Sequence, residues 1–203
     1  MRKVLLSAVV VALLTSAGIA KANPRPGQGE DKTPPSYDMK GQSLLDIDQL
    51  HKKFVDLATA IPAEKFNWRP AEGVRSIGEV YLHISQANYG FMGLLGANPP
   101  INFKTKDFEK STTDKTKIIE QINQSFDFVK AQVSKMSNAD FSKALKELGP
   151  DANDGDVIYL LVTHAHEHLG QSIAYAREVG VVPPWTAEQM AKAKDKKEDA
   201  PKE

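Results

Sequence analysis

Apolar residues recur at three- and four-residue steps in four stretches of this 203-residue chain, and nowhere do apolar and polar residues alternate for long enough to build a sheet. The first stretch, residues 43–61, carries Leu44, Leu45, Ile47, Leu50, Phe54, Val55, Leu57 and Ala58, and Pro62 ends it. The second opens on Ser76-Ile77-Gly78-Glu79, a capping box in which the serine hydroxyl and the glutamate carboxylate each serve the other's backbone amide. Ile77, Val80, Tyr81, Ile84, Ala87, Phe91, Leu94 and Leu95 make its buried stripe, stopped by Gly96-Ala97-Asn98-Pro99-Pro100. A third stripe, Ile118, Ile119, Ile122, Phe126, Val129 and Val133, predicts a helix from about Thr112 to Met136. The fourth opens near Asp154 or Asp156 and carries Val157, Leu160, Leu161, His164, His168, Ile173 and Tyr175 to Gly180, with Pro183-Pro184 as the stop. Four helices without strands predict an all-α four-helix bundle.

The connectors are less regular. Residues 62–75 are long for a helix connection, so Phe66 and Trp68 are expected to fold back onto the bundle. Residues 101–111 read as a loop containing Phe103 and Phe108, and a short helical turn is expected near residues 138–145.

The two ends differ from the middle. Met1-Arg2-Lys3, an apolar run from Val4 to Leu14 broken only by Ser7, and Ala20-Lys21-Ala22 follow the order of a secretory signal peptide cleaved after Ala22. That run is shorter than the ~20 residues of a membrane span, so an exported protein, periplasmic or secreted, is expected, with no membrane association after cleavage. Residues 23–40 form a polar, proline-rich leader expected to be disordered, and residues 188–203 a charged, flexible tail. Residues 41–187 are about one domain in size.

Charge narrows the function classes. The chain has 26 basic and 26 acidic residues; loss of Arg2, Lys3 and Lys21 with the signal peptide leaves 23 basic against 26. With no basic stripe interleaved with aromatics, nucleic acid is not expected as a partner. Cysteine is absent, which removes disulfides, a lipoprotein anchor and thiolate chemistry. Any metal must be held by imidazole, carboxylate and water.

Three of the five histidines crowd into H-A-H-E-H-L-G-Q, residues 164–171. On a helix, His164 and His168 lie ~40° apart and about 6 Å along the axis, so both rings reach one cation, whereas His166 points ~200° away from His164. A third ligand must come from another element. His83 follows Val80 by three residues and precedes Ala87 by four, beside the stripe of the second helix, and is the expected partner. His51, at the edge of the first stripe, is a weaker candidate. One histidine on an apolar face is ordinarily a hydrogen-bonded core residue, but two inward imidazoles four apart repel when charged and need a common reason to coexist. Protease chemistry of the H-E-x-x-H kind is rejected because Ala165, not glutamate, follows His164.

The segments I-P-A-E-K-F-N-W-R-P-A-E-G-V-R-S-I-G-E-V-Y-L-H-I, residues 61–84, and H-A-H-E-H-L-G-Q-S-I-A-Y-A-R-E-V-G-V-V-P-P, residues 164–184, together resemble the DinB-like superfamily. The resemblance covers residues 43–184 and implies a four-helix bundle of DinB/YfiT type with a three-histidine metal site. It places the family's helix-two histidine on His83 and its helix-four pair on His164 and His168. Many relatives have histidine immediately before the second of that pair; here the position is Glu167. Some relatives are metal-dependent transferases acting with small thiols, a few are isomerases or hydrolases, and the fold alone does not choose among them.

These readings lead to an exported protein with a divalent ion, Zn²⁺ or Ni²⁺, on His83, His164 and His168 and an open position for water or a small-molecule substrate. Transfer or hydrolysis is the expected chemistry. Glu79, one turn before His83, is a candidate to orient that ring or accept a proton, in competition with its capping role; Gln171 is a candidate donor to a bound ligand, in competition with packing. The alternative is a non-enzymatic metal-binding or stress-response protein of the envelope in which the ion is structural. A homodimer through an exposed helix face is compatible with the sequence.

Overall fold

The computed structural model describes residues 38–104 and 106–198, so the expected signal peptide and all but the last three residues of the expected leader lie outside the described residues. Five α-helices follow in order: α1 Met39–Ala60, α2 Ile77–Leu94, α3 Lys115–Lys135, α4 Asp154–Glu178 and α5 Pro184–Glu198. Among the described residues there is no strand, only an isolated antiparallel bridge between Ala144 and Asn153. None of the described helices is long and apolar enough to cross a membrane.

Side-chain caps fix where the helices begin. Ser76 and Glu79 form the expected capping box of α2: Glu79 N–H donates to Ser76 Oγ at 3.2 Å and Ser76 N–H to Glu79 Oε2 at 2.7 Å. Asn153 and Asp156 form a second box at the start of α4. Asp114 caps α3, which therefore starts three residues after the expected Thr112. Asp38 accepts from Gly41 N–H, which draws Met39 and Lys40 out of the expected leader and into α1; Lys40 Nζ also donates to Ser134 O at 2.9 Å. At the other end of α1, Lys115 Nζ donates to the carbonyls of Thr59 and Ile61, placing a cation where the helix exposes its partial negative charge. Gly96 and Gly180 adopt φ of +81° and +83° just beyond α2 and α4, the left-handed stop that glycine reaches without Cβ strain.

The region behind Pro183-Pro184 departs from expectation. Pro184 begins α5, because a missing amide and fixed φ suit the first turn of a helix as well as they end one. Ala, Lys, Gln and Glu then carry the helix to Glu198, where a flexible tail was expected. Trp185 packs against the core and lies under Lys53 Nζ of α1, 5.7 Å from the ring centroid, while residues 187–195 are exposed.

Four helices share one core, built around Phe54, Phe66, Tyr81 and Phe126, each at most 1 % exposed. Phe54 meets Phe126 and Tyr81 at 5.8 Å, and Tyr81 meets Phe66 at 6.2 Å. Leu45, Leu94 and Leu160, expected on the buried stripes, are 57 %, 41 % and 45 % exposed. Each is adjacent in sequence to a better-placed leucine, and one residue turns a helix by ~100°.

The packing order explains the long first connector. α1 lies against α3 and α4, and α2 also lies against α3 and α4, so the consecutive helices α1 and α2 sit across the diagonal. Residues 61–76 must cross that diagonal. They do so with Phe66 buried and Trp68 edge-on to Tyr175 at 5.4 Å, as the two aromatics predicted. Where the connector meets α2, Ile77 N–H donates to Trp68 O and Gly78 N–H to Phe66 O, so two otherwise unpaired amides of the first turn are satisfied by the connector. The approach is close: a Cβ on Gly78 lies 2.9 Å from Ile118 Cδ1 of α3 and 3.3 Å from the Phe66 carbonyl oxygen.

Gly78→Ala is therefore expected to lower the urea midpoint by the equivalent of about 1–3 kcal/mol, despite alanine's better helix propensity. Circular dichroism during urea unfolding measures it; an unchanged or raised midpoint means that the connector yields without cost.

Candidate metal centre

The adjacency of α2 and α4 is what assembles the histidines. On α4, Ile158, Leu161, Ala165 and Leu169 are buried, and His164 and His168 fall beside them on the side facing α2. On α2, Val80 and Ile84 are buried and His83 lies between them at the edge of that face. The result is a cluster in which one ligand nitrogen from each of His83, His164 and His168 lies within 4.8 Å of the others. The ring centroids are 4.5–5.2 Å apart. Phe91 stands edge-on to His164 at 5.6 Å and supplies an apolar wall.

Two of the rings are oriented by groups behind them. His83 Nδ1 lies 2.7 Å from Glu109 Oε1; opposite an ionised carboxylate that nitrogen donates, so Nε2 keeps its lone pair. His168 Nδ1 lies 2.7 Å from the amide oxygen of Gln171, and the same reasoning leaves its Nε2 bare. Gln171 Nε2 donates onward to Tyr175 Oη at 3.0 Å. His83 Nε2 faces His164 Nε2 at 3.2 Å. Tetrahedral coordination with metal–nitrogen bonds of ~2.0–2.1 Å requires neighbouring nitrogens ~3.3–3.4 Å apart, so this pair has the spacing of ligands sharing an ion. A three-imidazole set of this kind suits a divalent cation.

The electrostatics disfavour the charged forms of His83 and His164. Burial pulls the His83 imidazole below its ordinary range, more strongly than Glu109 pulls it up. His164 is lowered to about 4, first by burial and then by the neighbouring His168 and His83. For Glu109 burial works upward, but hydrogen bonds from Arg75 and His83 outweigh it and hold the carboxyl below its ordinary value. Arg75 grips Glu109 with Nε at 2.6 Å from Oε2 and Nη2 at 3.0 Å from Oε1.

Glu109 was not among the residues expected at the site. It comes from a short 3₁₀ turn, Phe108–Lys110, packed on α2. That turn is held by burial of Phe108 and, upstream, by Gln86 Nε2 donating to Phe103 O at 2.7 Å. The only sequence signal was an acid directly beside an apolar anchor in the 101–111 loop. Glu79, the acid considered for orienting His83, is committed elsewhere: Oε2 accepts from Ser76 N–H at 2.7 Å, and Arg69 pairs with both oxygens at 3.1 and 3.2 Å. Gln171 orients a histidine through its oxygen. His166 is exposed, and His51 lies apart from the cluster, hydrogen-bonded to Asn123 at 2.7 Å and stacked on Phe126.

Comparison with known proteins agrees with this architecture. Residues 46–172 match the sequence profile of the DinB superfamily. No curated protein matches the chain. Among solved structures, a DinB-like protein from Bacillus cereus superposes with a TM-score of 0.62 at 18 % identity, covering 71 % of this chain and 95 % of that one. YfiT from Bacillus subtilis, described as a probable metal-dependent hydrolase with an unusual four-helix bundle topology, superposes with a TM-score of 0.55 at 13 % identity, covering 81 % of this chain and 97 % of that one.

The depressed His164 value fixes the sign of a pH effect in the metal-free protein. Between about 4 in the folded chain and 6.5 in the unfolded one, the unfolded chain binds more protons, so stability is full above ~6.5 and falls as pH drops toward 4. Denaturant midpoints across pH 7 to 4 are expected to fall more steeply for the parent than for His164→Asn. Parallel slopes would show that the ring is not held neutral by its surroundings.

Proposed function

The chain belongs to the DinB superfamily, and from its three-histidine cluster we propose that it holds a catalytic divalent ion and carries out transfer or hydrolysis on a small-molecule substrate. The observation that carries this reading is the orientation of the rings: His83 and His168 turn bare Nε2 atoms inward because Glu109 and Gln171 occupy their Nδ1 positions. An all-imidazole set without thiolate favours Zn²⁺ or Ni²⁺. Three protein ligands leave a coordination position open, which distinguishes catalytic from closed structural sites. A divalent ion bound there supplies Lewis-acid polarisation of an oxygen and lowers the proton affinity of a water or thiol.

The chain's own residues have separable tasks. Glu109 fixes the rotation and tautomer of His83 and raises the basicity of its inward nitrogen; Arg75 keeps Glu109 ionised and in place. Gln171 does the same for His168 without a charge, and Tyr175 holds Gln171. Phe91 shields one side of His164 from water. The charged, apolar and A-x-A order of residues 1–22 supports placing this activity outside the cytoplasm, where small cytosolic thiols are poor co-substrates.

Metal analysis of protein purified without a histidine tag, exposed to Zn²⁺ or Ni²⁺ and dialysed, is expected to find about one ion per chain. His83→Ala and His168→Ala are expected to lose it and His166→Ala to keep it; failure of the parent to retain an ion overturns the proposal. The loaded protein is expected to turn over a member of an ester, amide or thiol-transfer panel. An ion that raises the melting temperature without any turnover would instead mark it as structural. Glu109→Gln is expected to weaken metal binding about 10–100-fold, read by competition with a chelating dye.

A further inference from the structure

A cleft of about 500 Å³ lies on the far side of the two orienting residues. It is lined by Arg69, Arg75 and Lys110, by Glu79 and Glu109, by Gln171, and by the Gly73-Val74 backbone. Glu109 and Gln171 thus face two ways, each holding a histidine of the cluster and forming part of the cleft wall.

The charges in this cleft do not cancel. Glu79 is neutralised by Arg69, with its oxygens also engaged by Ser76 N–H, and Glu109 is neutralised by Arg75, with one oxygen shared with His83. Among the described residues Lys110 makes no ion pair within 4 Å, although its charge reaches Glu79 and helps to lower that carboxyl, and the three cations against two carboxylates leave the lining one positive charge in excess. Donors are also left over. Arg75 spends Nε and Nη2 on Glu109, leaving Nη1 without a partner among the described residues, and Gln171 uses one of its two amide hydrogens on Tyr175. The carboxylates, by contrast, have their strongest acceptor positions filled. The amides at the start of α2 are not available, since Trp68 O, Phe66 O and Ser76 Oγ already accept from them. The donors left over in this cleft are therefore side chains.

We propose that the cleft binds the oxyanion group, carboxylate or phosphoryl, of a small organic substrate, with Arg75, Lys110 and Gln171 as donors and Arg69 holding Glu79 back from competing. It rests on the metal-dependent reading above only in calling the bound anion part of a substrate; anion binding itself requires no ion. A planar guanidinium with a free edge and an exposed ammonium lining the same cleft suit either oxyanion geometry, and a neutral isostere leaves the same donors unpaired.

The test uses the full chain, metal-free and Zn²⁺-treated, titrated with acetate, methylphosphonate and the neutral acetamide, and followed by NMR shifts of backbone amides and arginine Nε–H groups. Metal content is measured on the same samples. Saturable binding of acetate or methylphosphonate to the metal-free protein is expected, with shifts at Arg75, Lys110 and Gln171 and weaker binding at higher salt. Lys110→Gln is expected to raise the dissociation constant about threefold or more, and Lys110→Gln combined with Arg69→Gln about tenfold. Which anion binds more tightly assigns the group as carboxylate or phosphoryl. Equal binding of acetamide, shifts confined elsewhere, or no effect of Lys110→Gln overturns the proposal. Anion binding in a protein that retains no ion preserves the cleft and removes the metal-dependent function; ion retention without anion binding does the reverse.

Discussion

The His83, His164 and His168 nitrogens meet in one half-buried gap, where facing lone pairs repel unless a proton or a cation is shared between them, as a proton from one ring can be across the 3.2 Å between His83 Nε2 and His164 Nε2. The arrangement begins with the diagonal placement of α1 and α2. If consecutive helices were neighbours, as short loops would make them, α2 would not be flanked by both α3 and α4. The long connector through Phe66 and Trp68 exists to cross that diagonal, and the close approach at Gly78 sets the position of α2. His83 takes its position from this register. Packing far from the site therefore decides the site's dimensions.

Much of this was legible in the sequence, and the residues show why. The four bundle helices announced themselves through periodic apolar positions, and the Ser76–Glu79 box marked the start of α2 because its chemistry is local. The histidines were also legible: four residues on one helix fix a face, and His83 sat beside a stripe that had to face inward. Long-range pairing was not. Glu109 meets His83 across 26 residues from an aperiodic loop, while Glu79, a turn away in sequence, looked better placed and turned out to serve Arg69 and the cap. α5 was hidden by its own first residue, since Pro184 ends one pattern and begins another.

The connector also supplies both arginines that manage the acids around the centre. Arg69 and Arg75 bracket the Gly73 turn and pair with Glu79 and Glu109, one acid belonging to the helix cap and the other to the histidine cluster. A single segment thus ties the start of α2, the Phe108–Lys110 turn and the outer wall of the histidine cluster. Among the described residues, its charges lie where the electrostatics of the centre are set.

The clamp on His83 has a consequence for when order is acquired. Its ring is gripped at Nδ1 by a carboxylate that is itself held by two arginine nitrogens, so rotation about the side-chain bonds is arrested in the folded chain. His168 is arrested in the same way by Gln171. Conformational entropy that a freely turning histidine would lose on meeting an ion has already been lost on folding. Capture of an ion by this cluster would then be closer to filling a rigid socket than to gathering loose arms, and its affinity would depend on how stably the surrounding bundle holds the socket's shape.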